Sequence, residues 1–196
     1  MPRVTDDHLA ARRRQILDAA RRCFLTKGLH ATSMQDLVNE AGLSVGALYR
    51  YFKSKNEIIE AIADEVVGTL EAALDAPADG PPPSLLDAVE GGLRMVDRQL
   101  GADGAFRIAV LVWAEAMHDP AFADIVAARY VGLRLRLTAV ARHAVATGAL
   151  PPGSDPAAVA SALLSLIPGY ALQRTLVGTP DLDTYLSGVR ALLSRP

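Results

Sequence analysis

Residues 32–55, TSMQDLVNEAGLSVGALYRYFKSK, decide how the rest of the chain is read. Thr32 has the chemistry of a helix N-cap, and Gln35 three residues later completes a T-x-x-Q capping box. Leu37, Val38 and Ala41 form one apolar side, and Gly42 supplies the left-handed position that ends such a helix. Ser44 then caps a second helix, expected over residues 44–52, with Leu43 and Leu48 placed as a hydrophobic staple. Two short helices joined by a tight glycine turn make a helix-turn-helix, whose second helix enters the DNA major groove.

The side chains on this unit suit that task. Val45, Gly46 and Ala47 are small, so the backbone there can approach base edges and phosphates. Tyr49 and Tyr51 place hydroxyls on rigid rings, and Lys53 and Lys55 add cations where the helix ends. Phosphate contacts fix register and a few side chains read bases. Thr32, Ser33, Tyr49, Tyr51, Lys53 and Lys55 are therefore expected at phosphates and Gln35, Val45, Gly46 and Ala47 nearest base edges, with Ser44 also counted among the DNA-binding residues. The bland alternative is an αα-hairpin turn with packed tyrosines. The ordered run of caps, turn and cations speaks against it.

Working outward, the 196 residues are 51% hydrophobic and 21% charged, ample for a buried core. Ala, Leu and Arg dominate while β-branched residues are sparse, so the composition leans all-α. The net charge of −2 hides a split: residues 1–55 hold ten Lys/Arg against five Asp/Glu, the remainder ten Arg against seventeen Asp/Glu. A basic N-terminal module on an acidic body reads as a local polyanion-binding patch. The lone Cys23 excludes an internal disulfide, and no spaced Cys/His cluster suggests a metal site. No signal-peptide core opens the chain, and no apolar run is expected to reach the roughly 18 residues of a spanning helix. A cytoplasmic protein without a membrane partner or cofactor is expected.

In chain order, residues 1–8 are polar, and Arg3 with Arg12, Arg13 and Arg14 reads either as a minor-groove arm or as solvated arginines. Ile16, Ala19, Ala20, Cys23 and Phe24 give helical spacing from about Leu9 to Lys27, ended by Gly28. Ser54 and Glu57 form another capping box, opening a helix to about Leu74 with Ile58, Ile59, Ile62, Val66 and Leu70 on its apolar side. Residues 76–83, APADGPPP, break regular structure. The expected organisation is a DNA-binding domain over 1–55, a connecting helix over about 54–75 and a helical ligand-binding and dimerisation domain over 76–196. In the latter, Ser84 caps a helix carrying Gly91 and Gly92, which signal close helix approach or room for something bound. Phe106, Val110, Trp113 and Met117 mark a helix apolar nearly all round. Asp119-Pro120 and Asp155-Pro156 each set an N-cap before Pro, starting long helices. On the first, Arg129, Arg136 and His143 are read as a solvated face; in the second, Pro168 should introduce a kink. The helices at about 156–177 and 181–193 carry more than one apolar face, which suggests a self-complementary interface.

Gly28, Thr32, Ser33, Met34, Leu37, Val38, Ala41–Ser44, Gly46, Leu48, Tyr49, Tyr51, Phe52, Ser54 and Lys55 together resemble the DNA-binding region of tetracycline-repressor-type (TetR family) regulators, over roughly residues 10–65. Leu37 stands where Ile is commoner in that family, and Tyr51 where His is frequent. The resemblance implies a homodimer whose last two helices build a four-helix bundle, a ligand cavity in the C-terminal domain and a lever role for the helix after residue 54. It also implies binding to a near-palindromic operator and release by a small-molecule effector. An activator, or a regulator without ligand, would share the same motif.

Little in the sequence supports catalysis: there is no G-x-S-x-G, P-loop, G-x-G-x-x-G or H-E-x-x-H, and His118, beside Asp119 and Glu115, reads as a helix-end histidine rather than a base. Phe106, Val110, Trp113, Glu115, Met117, Tyr130 and Tyr170 are the candidates for lining a mostly apolar ligand cavity. The alternative for each is ordinary bundle core. Glu115 needs a partner in its apolar helix, either Arg107, Arg134 or Arg174, or a ligand. A small-molecule-binding helical protein whose first 55 residues serve only assembly is the competing reading of the whole.

Overall fold

The computed structural model describes residues 6–75, 82–101 and 104–193, apart from the side chains of Asp6, Val66, Thr69, Ala73 and Ala105. Arg3, most of the 76–83 stretch and the Val66 side chain therefore lie outside the described residues. The fold is all-α. Its described helices are α1 (Asp6–Lys27), α2 (Met34–Ala41), α3 (Val45–Tyr49), α4 (Lys55–Leu74), α5 (Leu85–Arg98), α6 (Ala105–Ala116), α7 (Pro120–Ala146), α8 (Pro156–Val177) and α9 (Leu182–Leu193).

Most helix ends fall where side-chain chemistry puts them. Ser54 accepts from the Glu57 N–H at 3.2 Å, Asp119 from Ala121 at 2.8 Å and Asp155 from Ala157 at 2.9 Å. Gly28 closes α1 at φ +83°, a conformation that L side chains rarely adopt. The start of α1 differs from expectation. Helix α1 begins at Asp6, so Arg12, Arg13 and Arg14 sit within it and form no arm. Arg12 instead bonds Gln15 at 2.8 Å, and Arg13 lies 5.4 Å from the Phe52 ring centre. Helix α8 is continuous through Pro168.

Apolar side chains collect into two cores. The first joins Ile16, Leu17, Phe24, Leu37 and Leu48 to Ile58, Ile59 and Ile62 of α4, and reaches Ile108 and Val112 of α6 and Phe122 and Ile125 of α7. Cys23 belongs to it, and burial pushes its thiol pKa up, as suits a small core hydrophobe. The second joins Leu70 and Leu74 of α4 to α5, α7, α8 and α9, with Leu93, Tyr170 and Leu186 wholly buried. Helix α4 is thus common to both cores, its first half in one and its second in the other.

Ion pairs reinforce α4 against its neighbours and correct the solvated-face reading of α7. Arg129 meets Asp64 at 2.5 Å, and Arg136 meets Glu71 at 3.1 Å and Asp75 at 2.9 Å. The seven-residue spacing puts these arginines on one stripe, and that stripe faces the acidic side of α4 rather than water alone.

Helix α8 also overturns the expectation that no apolar run is long enough to span a bilayer. Its 22 residues pass by length and composition, and only 22% of the apolar window is buried. Leu176 and Val177 near its end are 74% and 71% exposed, and Leu192 of α9 is 80% exposed.

Candidate DNA-reading face and internal cavity

The reading unit is built from α2, a glycine turn and α3. Ser33, not Thr32, is the N-cap of α2: its hydroxyl accepts from the Asp36 N–H at 3.1 Å while Asp36 accepts from the Ser33 N–H at 2.8 Å. The capping box is therefore S-x-x-D rather than T-x-x-Q. Thr32 is 1% exposed and its hydroxyl donates to the Gly28 carbonyl at 2.7 Å, so its side chain cannot reach a phosphate. Lys27 at 2.7 Å and the Ser33 donors hold the Asp36 carboxyl well below the usual carboxylate range. At the other end Gly42, at φ +64°, donates to Asn39 and the following Leu43 donates to Val38, the double bond of a Schellman turn.

Helix α3 is shorter than the expected 44–52, covering only Val45–Tyr49, with Ser44 accepting from Ala47 at 3.2 Å. Leu43 and Leu48 join the same core, in keeping with the staple. Ser33, Gln35, Ser44, Val45, Gly46, Tyr49 and Lys53 are exposed, while Ala47 and Tyr51 are partly covered. Val45 at 48% and Tyr49 at 38% keep much apolar surface exposed. Lys53 Nζ donates to the Tyr49 carbonyl at 2.8 Å, folding back over the end of α3. Lys55 departs from the expected phosphate role. Its ammonium is partly buried and donates to the Leu29 carbonyl at 2.5 Å and the Thr32 carbonyl at 3.1 Å.

A cavity of about 120 Å³ lies between α4 and the body, walled by α5, α6, α7 and α8. Of the seven predicted lining residues, Phe106, Trp113 and Tyr130 line it, meeting edge to face with ring centres 5.4 and 6.5 Å apart. The other four do not. Val110 packs on the second core, one helical step off the wall. Met117 follows α6 and is 80% exposed. Glu115 pairs with His30 in the α1–α2 connection rather than with an arginine, and it does not line the cavity. Tyr170 is fully buried behind the wall, donating to the Asp97 carboxylate and packing 5.0 Å from the Tyr185 ring.

Sequence reasoning missed most of the wall. Ile59, Ile62, Ala63, Val67, Leu70 and Leu74 of α4 all face the cavity, as does Arg129. Of the paired glycines, Gly92 lines it and a Cβ there would stand 2.4 Å from Ile167 Cδ1, while Gly91 has open space around it. The amphipathic period could have flagged the α4 set; nothing in the sequence singled out Arg129.

Comparison with known proteins agrees with this geometry. Residues 16–62 match the family model described as "Bacterial regulatory proteins, tetR family", and residues 93–195 match "BetI-type transcriptional repressor, C-terminal". The chain is 48% identical over 65 residues to the HTH-type transcriptional repressor Rv1474c of Mycobacterium tuberculosis, covering 33% of this chain and 35% of that protein. It is 32% identical over 113 residues to the HTH-type transcriptional regulator BetI of Klebsiella pneumoniae, covering 56% and 57%. The chain thus spans between about a third and somewhat over half of the length of these two curated relatives. The solved structure of Salmonella enterica GusR superposes with a TM-score of 0.81 at 27% identity, covering 98% of this chain and 97% of that one. With both the reading motif and more than half of the chain matched, this protein belongs to the tetR family of bacterial regulatory proteins, with a BetI-type C-terminal region.

Proposed function

We propose that the chain is a homodimeric cytoplasmic repressor that leaves a near-palindromic operator when a small apolar or amphipathic molecule enters the cavity. One observation carries this reading: α4 supplies six residues of the cavity wall while its first half is packed into the core of the reading unit. A guest that displaces Val67 or Leu70 moves the helix on which α1–α3 are mounted. Ligand must favour the DNA-incompetent arrangement, since only differential affinity shifts an equilibrium.

In the DNA-bound state α3 of each subunit lies in a major groove, with half-sites one or more turns apart. Ser33, Ser44, Tyr49, Tyr51 and Lys53 hold phosphates, and Gln35, Val45, Gly46 and Ala47 sit nearest base edges. The dimer forms through α8 and α9, whose exposed Leu176, Val177 and Leu192 are apolar surface that a partner copy covers.

The decisive experiment is selection of bound duplexes from a random pool, then titration of the selected duplex with apolar compounds. An enriched inverted repeat, released by a compound that also raises the melting temperature, is expected. Enrichment of a lone half-site would overturn the dimer, and tighter DNA binding with ligand would overturn the repressor reading.

A further inference from the structure

The cations of the reading unit sort by what already holds them. Arg22 is paired with Glu40 and Lys27 with Asp36, each at 2.7 Å, and Arg13 and Arg21 both reach Glu65. Arg12 bonds Gln15, and Lys53 and Lys55 turn their ammonium groups onto backbone carbonyls. Among the described residues of this unit, only the side chains of Arg14 and Arg50 make neither an ion pair nor a hydrogen bond. Arg14 lies on α1, whereas Arg50 closes α3 as its C-cap.

Arg50 keeps helical backbone angles, φ −67° and ψ −32°, and its N–H donates to the Gly46 carbonyl at 3.2 Å, so it continues the α3 spiral. A helical side chain leans back over the turn before it, which here is Gly46. No side chain stands at Gly46, and a Cβ built there would meet nothing within 4 Å. The exposed face of α3 is thus Val45 and Tyr49 in one row and Gly46 and Arg50 in the next, with Leu48 turned into the core. Arg50 is the only charge on that face, and it stands on the row where the backbone is bare enough for a base edge to come close.

A guanidinium offers a planar fork of N–H donors and no acceptor. In the major groove guanine alone presents two acceptors, O6 and N7, to such a fork. Adenine pairs one acceptor with a donor, thymine offers one acceptor beside a methyl group, and cytosine offers a donor. We propose that Arg50 is the residue of α3 that reads a guanine, through paired hydrogen bonds to O6 and N7, at one fixed position of each half-site. This rests on the reading that α3 lies in the major groove of an operator.

Selection of bound duplexes from a random pool, run with the full chain and with Arg50→Ala, tests the assignment. The parent is expected to enrich half-sites with a guanine at one fixed position. Arg50→Ala should enrich the same half-site with that position relaxed, and should bind the parent's duplex about 10- to 100-fold more weakly. Replacing that guanine by 7-deazaguanine, which removes only the N7 acceptor, should weaken the parent about tenfold and leave Arg50→Ala unchanged. Equal loss on selected and unselected duplexes, with a salt slope shallower by about 0.9, would place Arg50 on a phosphate and overturn the inference. A fixed guanine that Arg50→Ala still selects, or a half-site without one, overturns it too. Should Arg50→Ala fail to fold, the 7-deazaguanine series on the parent decides alone, and indifference at every guanine of the half-site overturns the inference. No enriched sequence from the folded parent overturns the reading of α3 as a groove-reading helix, and this inference with it.

Discussion

Lys55 Nζ donates to the Leu29 carbonyl at 2.5 Å, so the first residue of α4 fastens the loop that joins α1 to α2. With its second bond to the Thr32 carbonyl, the ammonium acts as an internal brace of the reading unit rather than a free cation. Lys55→Met leaves two partly covered carbonyls short of a donor and should lower stability by about 1–3 kcal/mol. Lys53→Met, at an exposed side chain, should change it by less than about 0.5 kcal/mol. Urea unfolding of the two variants measures the contrast, and equal midpoints would refute the brace.

DNA binding should show the opposite ranking of mechanisms. Removing Lys53 is expected to weaken all duplexes alike and to make the slope of log K against log salt shallower by about 0.9, the share of one phosphate. Gln35→Ala should instead alter the preferred base at one position of each half-site, at a cost of about 1–3 kcal/mol for the preferred base. Gln35 is exposed on α2, with its amide donating to Asn39 at 3.0 Å, and must give up that bond to read a base. A uniform loss across all sequences in Gln35→Ala would reassign the residue to phosphate positioning.

The legible part of this molecule was the part decided by short-range chemistry. Caps at Ser44, Ser54, Asp119 and Asp155 and the Gly42 turn depend on residues two to five apart, and they stand where spacing puts them. Thr32 and Ser33 show the limit. Both can cap, and what chose Ser33 was a fold-level demand: Thr32 is needed inside, against the Gly28 carbonyl. The cavity was less legible because periodicity gives a helix several inward positions without saying which neighbour each meets. Phe106 and Trp113 point to the chamber, but Val110 on the same helix packs elsewhere and Met117 lies beyond the helix end. Contacts between distant residues, such as Arg129 with Asp64 or Glu115 with His30, leave no local signature at all.

The exposed apolar ends of α8 and α9 make a separate prediction about assembly. Leu176 and Leu192 are 74% and 80% exposed, so a charge at either position costs little within one subunit. Across a dimer interface the same charge is buried without a partner. Leu176→Glu and Leu192→Glu should each convert a dimer to a monomer in sedimentation experiments at micromolar concentration, with the far-UV helical signal retained. Dimers that persist in both variants would move the interface to the exposed Val131 and Leu135 of α7.

Tyr170 gives the protein an alkaline liability with a defined sign. The side chain is fully buried, and burial first, then the adjacent Asp97 carboxylate that accepts its hydrogen bond, pushes the phenol up to about 12. An unfolded chain releases the same proton near the ordinary value of about 10. Below that point both states hold the proton and Tyr170 contributes no pH dependence. Between about pH 10 and 12 the native state binds more protons than the unfolded one, so stability falls as pH rises. The loss attributable to this group approaches about 2 kcal/mol at the upper end. Tyr170→Phe should be less stable than the parent at pH 9, because Asp97 loses its donor. The gap should narrow as pH is raised, since the variant has no phenol to keep protonated. Tyr130 and Tyr185, also raised by burial, remain in both proteins and cancel in the comparison. Urea unfolding at pH 9 and near pH 11.5 reads the difference directly. A gap that stays constant across that interval would show that the Tyr170 phenol titrates alike in the folded and unfolded chain.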